Sequence, residues 1–373
     1  MKNIVFDLFD TILDKVSFDY FKGLKYLYQK YFCDVTKYEE FEKIALDFRY
    51  KYMMDRKETN KEIPFIKQLI WFEKHYPTIK LNDKNEIEWE FFKECREEKK
   101  APNVELFLEY LTKWGFNIYI LSNSIFSNTT LKRYLKEFSL LQYFNEVYSS
   151  ADIIDRKPSE NAFKKIITEN DINFNEPTFY VGNSLEKDIY PSLKFGFISI
   201  LRNYLNEKYD GIAFYDYKEL LEYFKNNYLY INSIMEDLST VDGPGNRTVV
   251  FFQGCMAHCI GCHNENTWDL KQSHIIGVND LANRLKEKAI KKRITLTGGE
   301  PLLQPNGIIK LCEILEDYDI CLYTGFEKDN VSKEIIDKLH YLKTGKYIKE
   351  LRNVTIPYVG SSNQKFIDLK EEE

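Results

Sequence analysis

Residues 248–262 read TVVFFQGCMAHCIGC, an apolar run from Thr248 to Phe252 that breaks at Gln253-Gly254 into three crowded cysteines, Cys255, Cys259 and Cys262. A short apolar run bounded by glycine predicts a strand buried on both faces. Leu229 to Ile234 precedes it, and Ile294 to Thr297 and Ile320 to Tyr323 follow, with helical stretches between. The first half repeats the pattern in Asn3 to Phe6, Asn117 to Leu121, Thr178 to Val181 and Phe197 to Leu201. Such alternation predicts an α/β chain built on parallel sheets. In both halves the conspicuous polar, Gly or Cys residues stand just past a strand's carboxyl end, where parallel α/β folds bind ligands. Two separate sites are expected.

Long helical patterns between Ser17 and Lys99 interrupt the first half after its first strand, which predicts a helical cap over about residues 15–100. An amphipathic helix from Tyr217 to Lys225 runs into Asn226-Asn227, placing a boundary between domains at residues 1–225 and 226–373. At 373 residues the chain is long enough for each domain to bury its own core. The net charge of -6 argues against nucleic-acid binding. Asp7 and Asp10 spoil any secretory core segment at the start, and no apolar run approaches the roughly 20 residues of a membrane span. The seven cysteines are odd in number and three of them cluster, which suits a metal site in a reducing cytoplasm better than a disulfide framework. Cys33, Cys95, Cys312 and Cys321 are isolated and read as small buried apolar residues.

The spacing Cys255-x3-Cys259-x2-Cys262 is too tight and irregular for one face of a helix and suits a loop wrapped round a cube of four irons, leaving one iron open. A zinc site completed by His258 or His263 is the alternative on spacing alone. Downstream, Thr297-Gly298-Gly299-Glu300-Pro301 follows a strand and lays bare backbone beside a carboxylate, a match for a bound ammonium group. Tyr323-Thr324-Gly325 ends the next strand, placed to face a ribose and adenine.

Residues 229–373 resemble the radical S-adenosylmethionine (SAM) activating enzymes of glycyl-radical enzymes, most closely the anaerobic ribonucleotide reductase type. The resemblance is carried by Val241 to Arg247, Phe252 to Cys255, Cys259 to Asn264 with Gly261 between the cysteines, Thr267-Trp268, Lys343 to Gly345 and Gly360 to Gln364. It implies a partial (β/α) barrel holding a 4Fe–4S cluster on Cys255, Cys259 and Cys262. It also implies SAM bound by Gly298, Gly299, Glu300, Pro301, Tyr323, Thr324 and Gly325, with reductive cleavage to a 5′-deoxyadenosyl radical. The implied partners are a glycyl-radical enzyme as protein substrate and flavodoxin or ferredoxin as electron donor. By the same resemblance Asp242, Gly243 and Gly245 meet the partner's glycine loop; a plain tight turn between strands is the other reading.

Phe6-Asp7-Leu8-Phe9-Asp10-Thr11, Ser122-Asn123, Arg156-Lys157-Pro158 and Gly182-Asn183-Ser184 with Asp188 are together similar to the haloacid dehalogenase (HAD) superfamily, over residues 1–218 or so. The resemblance implies a Rossmann-like domain with Asp7 as nucleophile, Ser122 and Lys157 binding the transferred group, and Asp7, Asn183 and Asp188 as a magnesium set. Two departures stand out. Phe9 occupies the position where the family's phosphatases carry a general acid and base, a loss typically worth about 10²–10⁴ in rate. Asn183 stands where many relatives have Asp. An active hydrolase and a degenerate binding or docking domain both remain readings of this half. For the other half the alternative is a radical SAM enzyme acting on a small molecule or peptide.

Overall fold

The computed structural model describes residues 1–289 and 291–371, with side chains throughout except at positions 53–55 and 57; Ile290, Glu372 and Glu373 lie outside the described residues. Two compact units are resolved by their internal contacts. One comprises Met1, Asn3–Thr112 and Asn117–Glu219, and the other Lys2, Lys113–Phe116 and Leu220–Glu373.

The strands of the first unit are β1 (Asn3–Phe6), β2 (Leu13–Phe18), β3 (Arg96–Lys100), β4 (Asn117–Ser122), β5 (Glu146–Ser149), β6 (Phe179–Gly182), β7 (Ile198–Arg202) and β8 (Ile212–Phe214). Six of them form one sheet in the order β5-β4-β1-β6-β7-β8, parallel throughout. Ile4, Val5, Phe6, Ile120 and Val181 are fully buried at its centre, which is why these strands are apolar without alternation. The switch in strand order falls between β1 and its neighbours β4 and β6, so the residues after these three strands share one edge.

The cap holds the helices α1 (Tyr20–Leu27), α2 (Tyr38–Thr59), α3 (Phe65–His75) and α4 (Lys84–Cys95). Phe32, Phe41 and Phe72 form its aromatic core, with ring centroids 4.6 and 4.7 Å apart along the row. Where the sequence reads as helix from Ser17 to Lys99, the ends are instead strands β2 and β3, paired antiparallel as a stem. They carry Lys, Glu and Ser on exposed positions and pair only with each other, so no buried apolar run announces them. A second root joins the cap to the sheet's loops. Glu62 is fully buried between Arg56 Nε (2.9 Å) and Arg156 Nε (3.0 Å), accepts from Ser150 Oγ at 2.6 Å, and its backbone N–H donates to Ile154 O. Cys95, Cys312 and Cys321 are buried as expected, but Cys33 is exposed, because it follows the turn Tyr28–Phe32 at the cap surface, where its thiol donates to Gln29 O.

The second unit carries β9 (Tyr228–Ile234), β10 (Thr248–Phe252), β11 (His274–Gly277), β12 (Arg293–Gly298), β13 (Asp319–Tyr323), β14 (Tyr341–Thr344) and β15 (Lys365–Asp368). Its seven-stranded sheet runs β11-β9-β10-β12-β13-β14-β15. The central β10, β12, β13 and β14 are parallel, and antiparallel strands flank them on both sides. The helices Val278–Lys288 and Pro305–Ile314 cover one apolar face through Leu281, Leu285, Ile308 and Leu311. Both halves are therefore α/β, the first Rossmann-like with a cap. Among the described residues no helix is long and apolar enough to cross a membrane.

Arg247, just before β10, is fully buried and spans three strands. It donates to Thr295 Oγ1 (2.9 Å), to Ile294 O (2.9 Å), to Asp319 O (2.7 Å) and to both Asp319 carboxylate oxygens (2.8 and 3.1 Å). Its planar fork makes bonds a lysine cannot reproduce. Arg247→Met should destabilise this unit by roughly 3–5 kcal/mol, and Arg247→Lys should recover little of it, as read from chemical denaturation.

Candidate functional site

The cysteine loop leaves β10 at Gln253, whose fully buried amide reaches over to bind Asn266 O (3.1 Å) and Asp269 O (2.8 Å), the returning end of the same loop. Within it, Cys262 N–H donates to Cys259 O at 3.1 Å, closing a turn whose third residue, Gly261, has φ +72°. That conformation favours glycine. The Gly298-Gly299 pair at the end of β12 passes so close beneath the loop that side chains are excluded. A Cβ on Gly298 would stand 2.5 Å from Phe252 N, and one on Gly299 would stand 2.4 Å from Gly254 O. Glu300 N–H then donates to Gly254 O at 2.7 Å.

A cavity of about 570 Å³ opens over this floor. Cys255, Cys259 and Cys262, all half-buried, line it together with Gly298, Gly299, Glu300, Tyr323, Thr324, Gly325 and Asp242. Among the residues expected at this site, Pro301 does not line the cavity; it starts the turn Pro301–Leu303 behind it. Gly243 and Gly245 sit in the turn before β10, packed against the side chains of Arg247 and Arg293 respectively, and Asp242 alone of that trio reaches the cavity. Thr324 and Gly325 line the cavity and also hold Glu300. Thr324 Oγ1 (2.8 Å) and Gly325 N–H (2.8 Å) both donate to the Glu300 carboxylate, which also accepts from Leu302 N–H at 3.0 Å. Burial raises the Glu300 pKa in spite of these donors.

One residue of this cavity, Lys343, carries chemistry to which sequence reading gave no role, and another, Tyr323, has a hydroxyl that sequence reading left aside. Lys343 on β14 faces the cavity with its ammonium 5.1 Å from the Tyr323 ring centroid, and burial lowers its pKa against the opposing pull of Glu300, Cys262 and Cys259. The Tyr323 hydroxyl itself is buried without a hydrogen-bond partner among the described residues. Neither signal is local: a lysine in a strand reads as solvent-facing until the sheet is closed round it. Gln364 fixes the far wall, donating to Gly345 O (2.8 Å) and accepting from Gly360 N–H (2.8 Å).

Three free cysteines round one cavity fit a cube with a different iron for each thiolate. His258, one expected zinc partner, stacks on Trp268 at 4.7 Å.

In the first unit Asp7, Ser122, Lys157 and Asp188 meet at the carboxyl edge of β1, β4 and β6. Lys157 Nζ, fully enclosed, donates to Asp7 Oδ1 and Asp188 Oδ1, both at 2.6 Å, and to the Tyr180 hydroxyl at 3.1 Å. Thr11 Oγ1 donates to Asp7 Oδ2, and Ser184 N–H to Asp188 Oδ2. Asn123 aligns the lysine by a reciprocal pair, donating to Lys157 O and accepting from Lys157 N–H, each at 2.8 Å. The Ser122 hydroxyl is buried with no hydrogen-bond partner among the described residues, an unspent donor beside Asn123. Asn183 stands apart from the ammonium and interacts with Tyr204. Each carboxylate oxygen of Asp7 and Asp188 already accepts a bond within the protein, and the ammonium between them supplies the positive charge. Asp7 Oδ2 and Asp188 Oδ2 each accept one such bond and keep a lone pair, so these residues would hold a magnesium ion beside Lys157. Phe9 is capped by the Arg96 guanidinium, 3.6 Å over its ring.

A family model described as a haloacid dehalogenase-like hydrolase matches residues 4–201, and one described as a 4Fe–4S single cluster domain matches residues 241–367. The anaerobic ribonucleoside-triphosphate reductase-activating protein of Escherichia coli (strain K12) is 33% identical over 137 residues, which cover 33% of this chain and 89% of that protein. The pyruvate formate-lyase-activating enzyme of Clostridium pasteurianum is 44% identical over 91 residues, 22% of this chain and 38% of that enzyme. A solved HAD phosphatase from Thermococcus onnurineus overlaps 60% of this chain and 98% of its own, at 19% identity and a TM-score of 0.43.

Two carboxylates share one ammonium in the first site, and burial, with Asp188 adding to it, pushes the Asp7 pKa up from 3.8 to about 6 against the pull of Lys157. The folded state therefore holds this proton more tightly than the unfolded chain, and Asp7 costs stability as pH rises through that window. Asp7→Asn should stabilise the unit by an amount that is small near about pH 4 and largest above about pH 6.5. Lys157→Met, which strands two buried carboxylates, should cost roughly 3–5 kcal/mol at neutral pH. Denaturation curves of both variants at the two pH values check this, and an Asp7→Asn gain that shrinks with rising pH contradicts it.

Proposed function

We infer function from membership of two families at once: over residues 4–201 the chain belongs to the haloacid dehalogenase-like hydrolases, and over its carboxy-terminal part to the anaerobic ribonucleoside-triphosphate reductase-activating proteins. It is an enzyme with a 4Fe–4S domain of the radical SAM activating type. On our reading it installs a glycyl radical on a partner such as an anaerobic ribonucleotide reductase, taking electrons from flavodoxin or ferredoxin. The observation that carries this is the gathering of Cys255, Cys259 and Cys262 with Gly298, Gly299 and Glu300 on one cavity. Cys255, Cys259 and Cys262 would hold a 4Fe–4S cluster, and the chemistry it would supply there is one-electron reductive cleavage of SAM.

The chain's own residues bind and orient. The bare backbone at Gly298 and Gly299 lets the amino-acid end of SAM lie against the strand end, with the Glu300 carboxylate beside its ammonium group. Lys343 offers the opposite charge to its carboxylate. The Tyr323 ring walls the nucleoside end, and its unpartnered hydroxyl has a donor to give. Thr324 and Gly325 act at one remove, by holding Glu300 in place. Asp242, at the cavity's edge, with the turn of Gly243 and Gly245 behind it, receives the partner's glycine loop.

For the first unit we propose a hydrolase of low activity toward phosphate esters. Asp7 is its nucleophile, and Ser122 and Lys157 hold the transferred group. The enclosed Lys157 and the unspent Ser122 hydroxyl favour a working site over a docking module. Phe9 cannot move a proton, so leaving groups that need protonation react slowly.

Anaerobic reconstitution with iron, sulfide, SAM and an anaerobic ribonucleotide reductase should give a glycyl-radical signal in electron paramagnetic resonance. SAM cleavage with no protein radical points to a small-molecule or peptide target instead. Cys259→Ala should lose both the cluster's visible absorbance and SAM cleavage; retained cleavage sinks the cluster assignment.

A further inference from the structure

Charge is spread unevenly over the walls of the cysteine cavity. Lys343, Lys346 and Arg352 bring positive charge to it, and Asp242 and Glu300 bring carboxylates. Lys346 and Arg352 are exposed, so water screens them. Lys343 is half-buried. Its neighbours on β14, Leu342 and Thr344, are fully buried, and β14 is paired on both edges, with β13 and with β15. The lysine stem therefore leaves a closed part of the sheet, and its ammonium reaches the cavity 5.1 Å from the centre of the Tyr323 ring.

Among the described residues no carboxylate pairs with this ammonium, and its neighbour is an aromatic face. Holding a cation in a half-buried wall costs free energy unless an anion faces it. Burial lowers the Lys343 pKa, and Glu300, Cys262 and Cys259 pull it back up, so both thiols lie within its electrostatic reach. The anion that matches is the group those thiols would hold. A 4Fe–4S cube on three thiolates is negatively charged before it takes an electron, and the buried Glu300 carboxylate lines the same cavity. Reduction adds one more negative charge in a place only partly open to water. The potential of such a cluster follows the net charge round it and its exposure to solvent.

We propose that Lys343 tunes electron uptake at this site: its positive charge, on the same cavity as Cys255, Cys259 and Cys262, raises the midpoint potential of a cluster bound there. The step it acts on is the gain of one electron by the oxidised cluster from an external reductant. No bond forms or breaks in that step, and the ammonium keeps its protons. Lys343 works through the cluster and touches no reacting atom of the partner. The position of the charge matters more than its sign alone, because an exposed lysine on the same cavity is screened by water. The proposal rests on the cluster reading of the three cysteines and extends it, from which residues hold the group to how readily the group is reduced.

The full-length chain, reconstituted anaerobically with iron and sulfide, is titrated with dithionite in the absence of SAM, and the reduced cluster is followed by electron paramagnetic resonance. Lys343→Met and Lys343→Gln should each lower the reduction equilibrium constant at least threefold, which is about 28 mV at about 59 mV per tenfold for one electron. Lys343→Arg should stay nearer the wild-type midpoint than either neutral variant does. Lys346→Met, which removes an exposed charge from the same cavity, should shift the midpoint by less than Lys343→Met. Equal midpoints in the wild type and both neutral variants overturn the proposal. A Lys346→Met shift as large as that of Lys343→Met does so too, as does an arginine variant that falls with the neutral ones. Loss of the cluster's visible absorbance from both neutral variants makes Lys343 an assembly residue and overturns the proposal as well. A wild-type chain that assembles no 4Fe–4S cluster sinks the cluster reading itself, whereas cluster-bearing variants with unchanged midpoints sink the role of Lys343 alone. With SAM left out, none of these results depends on how SAM is bound.

Discussion

Backbone meets backbone at Gly254, Gly298 and Gly299 with no room for a Cβ between them, and the carboxy-terminal site is assembled round that contact. It brings the end of β12 under the root of the cysteine loop, so the loop's thiols and the strand's bare peptide face one cavity. Everything else in the site maintains this approach. Gln253 ties the loop's two ends together, Glu300 pins β12 to β13 through Thr324 and Gly325, and Gln364 pins the last segment to Gly345. A ligand site whose walls are strand termini held by buried amides and a carboxylate changes little when filled, as orientation of a reactive cofactor requires.

The amino-terminal site is governed by a different constraint, that of charge. Among the described residues Lys157 is the cation that bonds both Asp7 and Asp188, and it is buried. The Asp7 carboxylate held this way is oriented by its counter-ion, and Thr11 Oγ1 donates to its other oxygen. The Arg96 guanidinium covers Phe9, which stands in the place of the missing acid.

Much of this was legible from sequence because central parallel strands bury both faces. β1 and β10 run from Asn3 to Phe6 and from Thr248 to Phe252, the same bounds their apolar runs mark. Short or exposed strands escaped. β2 and β3 are charged and pair only with each other, and β5, β8, β11, β14 and β15 are three or four residues long in most cases, too short for a period to show. At the sites, residue identity named the cysteines, Asp7 and Lys157, but long-range contact decided what each polar group does. That Thr324 and Gly325 hold Glu300 as well as line the cavity shows only in the fold, and Lys343 looks exposed until β14 is placed beside the cysteine loop.

The Glu62 root of the cap has a bearing on kinetics. Many capped enzymes work by an open-and-shut cycle, in which closure organises the site and opening releases product. Here the cap is fastened at the β2–β3 stem and again at a buried carboxylate shared by two arginines and a serine. The space beneath is consequently preformed, and an incoming molecule spends little free energy on ordering its surroundings. Any opening of the cap would have to part a buried carboxylate from Arg156 and Ser150, a cost that a plain hinge does not carry.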